Sequence, residues 1–239
     1  MTPNPAIDVD SVTFRYRRAS ATLRNFSWTF PEGRTLLLGP NGSGKSTLLR
    51  LIAGLLKPRG GQISYSWNGS NAGKMPLKRI GYLPQDSPRV RGLNVQQQVE
   101  YSAWLSGLSS HVGDSAVNAI SQVNLLDRMR APTASLSGGE ARRLNLACAI
   151  VHSPDILLLD EPTTGLDPVE RVNLAEIIGS RLGAKIVITA THEAEALLSV
   201  SSEVAILVDG TIADSFPAHE HEGDWLERYR SALHREAIQ

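Results

Sequence analysis

A glycine-rich run in the first quarter of the chain has the residue types and the spacing of a phosphate-binding loop. Residues 39–47 read Gly-Pro-Asn-Gly-Ser-Gly-Lys-Ser-Thr, which fits the pattern G-x-x-x-x-G-K-[ST]. Residues 35–38, which read Thr-Leu-Leu-Leu, predict a strand before the loop, and an apolar helix is predicted to begin near Ser46. The backbone amides of the loop and the positive end of the helix would then face one anionic phosphate.

The loop therefore predicts binding of a nucleotide with magnesium. We expect Lys45 to reach the β and γ phosphates as a point charge, and the Ser46 hydroxyl to occupy one ligand position on Mg²⁺. A chance match in a loop rich in glycine and serine is the alternative, and the flanking strand and helix argue against it. The predicted nucleotide contacts are Gly39, Pro40, Asn41, Gly42, Ser43, Gly44, Lys45, Ser46 and Thr47.

Two adjacent carboxylates follow a second apolar run. Residues 156–159 read Ile-Leu-Leu-Leu, and Asp160 and Glu161 come directly after them. Open α/β sheets bind ligands at the carboxyl ends of their strands. If strand geometry continues through the pair, the two side chains point to opposite faces and have different roles. We assign Asp160 to magnesium, through a coordinated water, and Glu161 to polarising the water that attacks the γ phosphate. The alternative is a pair of solvated acids at a strand end.

A third run, Leu-Ser-Gly-Gly-Glu at residues 136–140, precedes a predicted helix. Ser137 and Glu140 have the spacing of a capping box, which accounts for both side chains. That role does not require Gly138 and Gly139 in the first turn, where each glycine costs about 1 kcal/mol relative to alanine. Bare amides at a helix start predict close approach of a phosphate.

Bulk composition limits the class of protein. The chain has 239 residues, 41% of them hydrophobic, which is enough for one packed domain with an attached lobe. Lys plus Arg and Asp plus Glu both number 24, so the chain has no overall positive field and binding of nucleic acid is disfavoured. The single cysteine, Cys148, and the lack of a secretory pattern indicate a reducing cytosolic setting. No apolar stretch approaches the roughly 20 residues that span a bilayer, so another chain is needed to cross a membrane.

The rest of the pattern predicts a strand-rich region interrupted by helices. After the loop and its helix, the sequence pattern becomes typical of helices, with Asn94 and Gln97 at capping-box spacing. Residues 156–159, 186–190 and 204–208 are largely apolar, which is typical of a parallel sheet covered on both faces.

Two features are predicted near the carboxyl terminus. Asp209-Gly210 lies between two strand-like runs and predicts a hairpin. The four apolar residues Trp225, Leu226, Tyr229 and Leu233 are expected to form one face of a last helix.

Residues 136–140, together with Arg142 and Arg143, resemble the signature sequence of the ATP-binding cassette (ABC) ATPases. The other motifs of that family follow in order over nearly the whole chain. The adenine-stacking aromatic, the glutamine loop, the aspartate loop and the switch histidine correspond to Tyr16, Gln85, Asp167 and His192.

The resemblance implies an α/β fold of the ABC ATPase type. This is a P-loop NTPase core with a mostly parallel sheet, an N-terminal antiparallel β subdomain and an inserted α-helical subdomain. The single domain is expected to divide into a nucleotide-binding core (residues 1–87 and 150–215), a helical signature subdomain (88–149) and a helical tail (216–239).

The resemblance also implies how the site works. ATP and Mg²⁺ bind between two cassettes packed head to tail, so Ser137, Gly138, Gly139, Glu140 and Asp167 serve the nucleotide of the partner subunit. Lys45, Gln85, Glu161 and His192 are the implied catalytic residues, and Ser46, Gln85 and Asp160 the implied magnesium residues. His192 would hold the γ phosphate and the attacking water.

The implied partners are a second ABC ATPase subunit and separate membrane-spanning permease subunits, one of which inserts a short helix against the helical lobe. The chain is then a peripheral protein at the cytoplasmic face of the cell membrane. Its motifs look most like those of bacterial exporters, with import as the alternative. A soluble ABC protein of translation or DNA repair is a second alternative, although such proteins usually have two cassettes or a long insertion.

Two positions depart from the family pattern or leave a choice. Glu140 stands where glutamine is commoner, which is a tolerated variant. Phe14 lies on the same face of the presumed strand as Tyr16, so either ring is a candidate for stacking on adenine, and Tyr16 fits the spacing better.

Overall fold

Two β-sheets with helices packed around them make up the structure. This is a computed structural model, and it describes residues 5–17, 22–67, 70–71, 77–86, 90–180, 182–220 and 224–236. The strands are β1 (Ala6–Phe14), β2 (Leu23–Pro31), β3 (Gly33–Leu38), β4 (Gly60–Trp67), β5 (Ser70–Asn71), β6 (Ile80–Leu83), β7 (Ile156–Asp160), β8 (Ile186–Thr191), β9 (Glu203–Val208) and β10 (Thr211–Pro217). The helices are α1 (Lys45–Ile52), α2 (Val95–Leu105), α3 (Val112–Gln122), α4 (Gly138–Ile150), α5 (Pro168–Ser180), α6 (Glu195–Leu198) and α7 (Trp225–Glu236).

The central sheet has the strand order β10-β9-β3-β8-β7-β6, and all its neighbouring pairs are parallel except β9 with β10. Strands β3, β7, β8 and β9 are buried on both faces, and alternate residues enter two separate cores. In β3, Leu36 and Leu38 belong to the core on the side of the helical lobe, whereas Leu37 belongs to the core around α1. Continuous apolar runs therefore form strands here because both faces are covered.

A second, antiparallel sheet has the order β2-β1-β4-β5. Ile7, Val9 and Val12 of β1 are buried in the same core as Leu48 and Leu49 of α1. The predicted fold class is confirmed: a P-loop core with a mostly parallel sheet, an N-terminal antiparallel sheet and an inserted group of helices.

The helical lobe consists of α2, α3 and α4, whose buried residues include Val99, Ile120 and Leu144. The capping box predicted for α2 is present, because the Asn94 side chain accepts from the Gln97 amide at 2.8 Å and the Gln97 side chain accepts from the Asn94 amide at 3.0 Å. Within the part of the chain that the structure describes, no helix is both long enough and apolar enough to cross a membrane.

The features predicted near the carboxyl terminus are found with one correction. Asp209 and Gly210 have φ of 42° and 83°, as a two-residue hairpin turn between β9 and β10 requires. Trp225, Tyr229 and Leu233 of α7 pack on the core, but Leu226 is 40% exposed and the prediction for it is wrong. At about 100° per residue, Tyr229, Leu233 and Leu226 lie about 40°, 80° and 100° from Trp225, so Leu226 stands at the margin of the face that the other three share, in the first turn of α7.

The lobe approaches the central sheet closely at Gly81 in β6. A Cβ atom on this residue would overlap the backbone oxygen of Ala149 in α4 and would lie 2.9 Å from Cγ of Pro154. A backbone oxygen cannot move aside as a flexible side chain does. The close packing of α4 on β6 therefore depends on glycine at this position.

We expect Gly81→Ala to lower the free energy of unfolding by about 1–3 kcal/mol, because the added methyl group forces α4 away from β6. Urea unfolding measures the change. Gly183→Ala is the matched control, since a Cβ there meets open space and the change stays within about 0.5 kcal/mol. Equal midpoints for the two variants would show that the lobe does not pack on Gly81 in this way.

Candidate functional site

The phosphate-binding loop connects β3 to α1, and glycine is required at several of its positions. Gly42 and Gly44 have φ of +86° and +109°, which side chains rarely adopt. Gly39 has an ordinary φ, but a Cβ there would overlap the backbone oxygen of Leu207 and lie 2.7 Å from the Ser43 hydroxyl. The sequence pattern thus has a local steric cause.

Lys45 is the first residue of α1, and its ammonium group is buried inside the loop. Nζ donates to the carbonyl oxygens of Gly39 at 2.7 Å and Pro40 at 3.1 Å, and it lies 3.7 Å from Oε1 of Glu161. Burial lowers the pKa of Lys45, and the charges of Glu161 and Asp160 oppose this effect. The Ser43 hydroxyl is also buried, and it has no hydrogen-bond partner among the described residues. A buried cation beside an unsatisfied donor suits an anionic phosphate.

Two of the three residues predicted to serve magnesium, Ser46 and Asp160, lie together. Ser46 Oγ donates to Asp160 Oδ1 at 2.8 Å, and the Tyr82 hydroxyl donates to Oδ2 at 3.3 Å. Burial raises the pKa of the Asp160 carboxyl, and the hydrogen bonds from Ser46 and Tyr82 partly offset this. Hydroxyl and carboxylate oxygens are the ligands that magnesium prefers.

These residues fit a magnesium site in which substrate phosphates supply some of the ligands. Among the described residues, no group of three or more His, Cys, Asp or Glu side chains is placed to hold a metal ion. Magnesium is usually bound by one or two protein ligands together with waters and substrate phosphates, so Ser46 and Asp160 suffice. Gln85 is exposed in the loop after β6, next to the strand that ends in Asp160.

Glu161 leaves the strand geometry of β7. Its φ is 49°, in the left-handed region. The alternation of side chains along a strand, which the sequence suggested, therefore does not set the direction of the Glu161 side chain. The two acids are still separated in role. Asp160 contacts Ser46 and Tyr82, whereas the buried Glu161 carboxylate turns toward the end of β8.

Three side chains hold the Glu161 carboxylate. Nδ1 of His192 lies 2.9 Å from Oε1, and the hydroxyls of Thr164 and Thr191 each donate to Oε2 at 3.0 Å. Burial alone would raise the pKa of Glu161, but the hydrogen bonds from His192, Thr191 and Thr164 outweigh it and the pKa lies below its ordinary value. The group is therefore a carboxylate at neutral pH. Sequence reasoning missed both threonines, although one directly precedes His192 and the other follows Glu161 by three positions.

Tyr16 lies just beyond β1 and is 39% exposed, whereas Phe14 is buried at 7%. The Phe14 ring packs edge-on against the Tyr16 ring at 5.1 Å, and the Tyr16 hydroxyl is 3.4 Å from Thr47 Oγ1. Of the two aromatic candidates, Tyr16 has the open face, beside the phosphate-binding loop.

The signature run begins α4. Ser137 Oγ accepts from the Glu140 amide at 3.1 Å, and the Glu140 carboxylate accepts from the Ser137 amide at 2.9 Å, so the capping box is present. Gly138 is exposed, and a Cβ there would meet open space. Gly139 has another explanation than phosphate approach, because a Cβ there would lie 2.5 Å from the carboxylate of Glu170.

The signature run and the aspartate loop are neighbours within this chain. Glu170, which packs on Gly139, forms an ion pair with Arg143. Asp167 Oδ1 accepts from the amides of Val169 and Glu170 at 3.0 Å and so caps α5. Among the described residues, no hydrogen bond or ion pair connects residues 137–140 with residues 39–47.

Comparison with known proteins places this site in a family. The family model described as ABC transporter matches residues 23–164, which include the phosphate-binding loop, the signature run and the carboxylate pair. The nickel import ATP-binding protein NikO of Rhodobacter capsulatus is 33% identical over 232 residues, covering 90% of this chain and 91% of NikO. Human ATP-binding cassette sub-family A member 9 is 34% identical over 208 residues, but the chain spans only 12% of that protein.

Solved structures share the fold. The cbiO1 protein of Clostridium perfringens, part of the ABC transporter complex cbiONQ, has a TM-score of 0.80 and 25% identity, with 95% of this chain and 92% of that chain covered. The ATP-binding cassette MJ0796, solved as a dimer in a post-hydrolysis state with ADP and Pi, has a TM-score of 0.75 and 23% identity, with 89% and 98% covered. Since the family match covers more than half of the chain and the NikO alignment nearly all of both proteins, this chain belongs to the ABC transporter ATP-binding proteins and is an ATPase.

Proposed function

We propose that this ATPase powers the movement of a substrate across a membrane, as one half of a dimer bound to separate membrane-spanning subunits. The observation that carries the hydrolytic part is the convergence of Lys45, Asp160 and Glu161 at one edge of the central sheet. Lys45 Nζ is 3.7 Å from Glu161, and Asp160 is joined to the loop through Ser46. Phosphate, metal and water are thereby served from the ends of β3 and β7, the two neighbours of β8.

Hydrolysis follows from these positions. Lys45 exchanges its bonds to the loop carbonyls for the β and γ phosphates, and Ser46, Asp160 and Gln85 would hold Mg²⁺. Bound magnesium supplies charge neutralisation on the phosphate oxygens. Glu161 accepts a hydrogen bond from the water that attacks the γ phosphorus, while the bond to the leaving ADP oxygen breaks. His192, held at 2.9 Å from Glu161, and Gln85 complete the proposed catalytic set.

The partner ATPase completes each nucleotide site. Ser137, Gly138 and Gly139 lie at the N-terminal end of a 13-residue helix, a favourable place for a phosphate. Gly138 faces open space, and the run has no described link to the loop of its own chain. We therefore assign residues 137–140 and Asp167 to the nucleotide of the second subunit, and Tyr16 to the adenine of its own. The MJ0796 cassette, which has the same fold, was solved as a dimer, and this supports the proposal of a second subunit.

A groove on the helical lobe fits the membrane-spanning partner. It has a volume of about 360 Å³ and is lined by Tyr82, Pro84, Val90, Tyr101 and Leu105, among others. Tyr101 and Leu105, four positions apart on α2, are 46% and 62% exposed and so present an apolar surface along the groove. Pro84, one of the residues that line the groove, directly precedes Gln85. A short apolar helix seated there would sense the loop that serves the metal.

The proposal also includes the direction of transport. The motifs resemble those of exporters, and we propose export, although the named relative NikO is an import protein. A location at the cytoplasmic face of the membrane follows from the proposed permease contact.

We expect Glu161→Gln to bind ATP normally but to lower turnover by roughly 100- to 10,000-fold, because the neutral amide cannot polarise the water. Phosphate release and light scattering measure the rate and the accumulation of an ATP-bound dimer. Glu176→Gln is the control, since Glu176 is exposed on α5. Turnover near that of the unmodified chain would remove Glu161 from the mechanism.

We expect Ser137→Arg to abolish hydrolysis while monomers keep their affinity for ATP, because the signature serves the other subunit. Mixing this variant with Lys45→Ala should restore part of the activity, since one composite site in the mixed dimer is intact. Ser137→Ala is the control for capping, with a loss of about 1 kcal/mol of stability. If the mixture stays inactive and the Arg variant no longer binds ATP as a monomer, the signature acts within its own chain.

Co-purification from the native membrane in mild detergent tests the transport assignment. We expect a polytopic membrane protein to accompany the unmodified chain, and Leu105→Asp to lose most of it, because a charge in the groove opposes burial. Val117→Asp is the control, an exposed residue of the same lobe outside the groove. Recovery of soluble partners alone would favour a soluble ABC protein.

A further inference from the structure

Arg142 of α4 is buried at 9% exposure and donates only to backbone carbonyl oxygens. Its guanidinium has five N–H donors, and each one has an acceptor. The acceptors are the carbonyl oxygens of Pro162 (2.8 Å, from Nε), Pro84 and Gln85 (3.1 and 2.9 Å, from Nη1), and Asp160 and Glu161 (3.0 and 2.5 Å, from Nη2).

This arrangement has a cost in stability. Among the described residues, no carboxylate lies within ion-pair distance of the Arg142 guanidinium. Burying a charge without a direct counter-ion is expensive, and burial lowers the pKa of Arg142 although the charges of Asp160, Asp86 and Glu161 oppose this effect. The residue is therefore poorly explained as a device that holds the fold together.

The acceptors belong to two segments that act on the nucleotide. Pro84 and Gln85 form the glutamine loop after β6, and residues 160–162 carry the magnesium residue and the catalytic carboxylate. Glu161 is held at φ 49°, a left-handed conformation that is strained for a residue other than glycine. Its carbonyl oxygen accepts the shortest of the five hydrogen bonds.

Arg142 is also rigidly connected to the signature run. Ser137 caps α4, and Arg142 follows it by five positions in the same 13-residue helix. A helix of this length moves as a unit, so a displacement of the lobe that shifts Ser137 also shifts the guanidinium. One side chain thus joins the signature, the glutamine loop and the backbone of Glu161.

We propose that Arg142 is a positioning residue for hydrolysis: it fixes the backbones of Gln85 and Glu161 from the helical lobe, so that Glu161 faces the attacking water only while the lobe is seated against the core. Arg142 touches neither nucleotide nor metal. The inference rests on the catalytic role proposed above for Glu161.

The test replaces the forked donor set while keeping the charge. Lysine has three donors from a single point and cannot reach five carbonyls, so we expect Arg142→Lys to lower kcat roughly 10- to 100-fold. The KM for ATP should change by less than about twofold, because Lys45 and the loop are untouched. Hydrogen exchange should become about tenfold faster in peptides that cover residues 80–86 and 156–164 together.

Arg79→Lys is the matched control. Arg79 pairs with Asp155 and joins the same two strands, β6 and β7, at their opposite ends. It should keep kcat and leave exchange in both catalytic segments unchanged. Should Arg142→Lys not fold, Arg142→Gln, with two donors, gives the same comparison.

The outcomes separate the two assignments. If Arg142→Lys only lowers the melting temperature, with kcat and exchange in both segments unaltered, Arg142 is structural and the inference is overturned. If Glu161→Gln still turns over normally, the proposed role of Glu161 fails, and the inference about hydrolysis fails with it. If Glu161→Gln is inactive while Arg142→Lys works at the full rate, only the inference fails.

Discussion

Two neighbouring buried carboxylates at the end of β7 impose the constraint on which the rest of the site depends. Asp160 and Glu161 are 0% and 4% exposed, so the protein must supply the hydrogen bonds that water would otherwise provide. Asp160 receives them from the helix after β3 and from β6, and Glu161 from β8 and its own loop. The parallel register brings these strand ends to one edge, with Asp160 opposite Ala190 and Leu38 opposite Thr191. The strand order and register of the central sheet are therefore what bring the required hydrogen-bond donors to the two carboxylates.

The two acids contribute to stability in opposite directions. The pKa of Asp160 is raised in the folded state, so the folded protein binds its proton more tightly than the unfolded chain does. Its contribution is fully present below about pH 4 and is lost as the pH rises through the folded pKa. The pKa of Glu161 is lowered, so its contribution is present above its ordinary pKa and is lost as the pH falls through the lower, folded value. Of the two acids, Asp160 is the one whose ionised form carries a net cost at neutral pH, and a bound cation would offset this cost.

Local patterns in the sequence predicted the local features of the fold. The phosphate-binding loop, both capping boxes and the Asp209-Gly210 hairpin depend on residues a few positions apart, so spacing alone identifies them. Contacts between distant segments could not be predicted in this way. Thr191 is 30 positions from Glu161, and Arg142 is 57 from Gln85, so a sequence pattern gave no reason to pair them. Strand alternation also failed at Glu161, because the left-handed turn that ends β7 depends on its surroundings.

The same distinction explains why Gly138 and Gly139, which look alike in sequence, are not equivalent. Gly139 is required by this chain alone, since the Glu170 carboxylate occupies the place of its side chain while it pairs with Arg143. Gly138 has open space, so no contact within the monomer requires glycine there. The signature and the aspartate loop are thus joined in one unit through Glu170, on one side of α4. Arg142, on the same helix, joins that unit to Gln85 and Glu161, the residues proposed to act on the chain's own nucleotide. Because α4 has both connections, a change at one nucleotide site of the proposed dimer can be passed through this helix to the other site. Separate loops without such a helix would not connect the two sites.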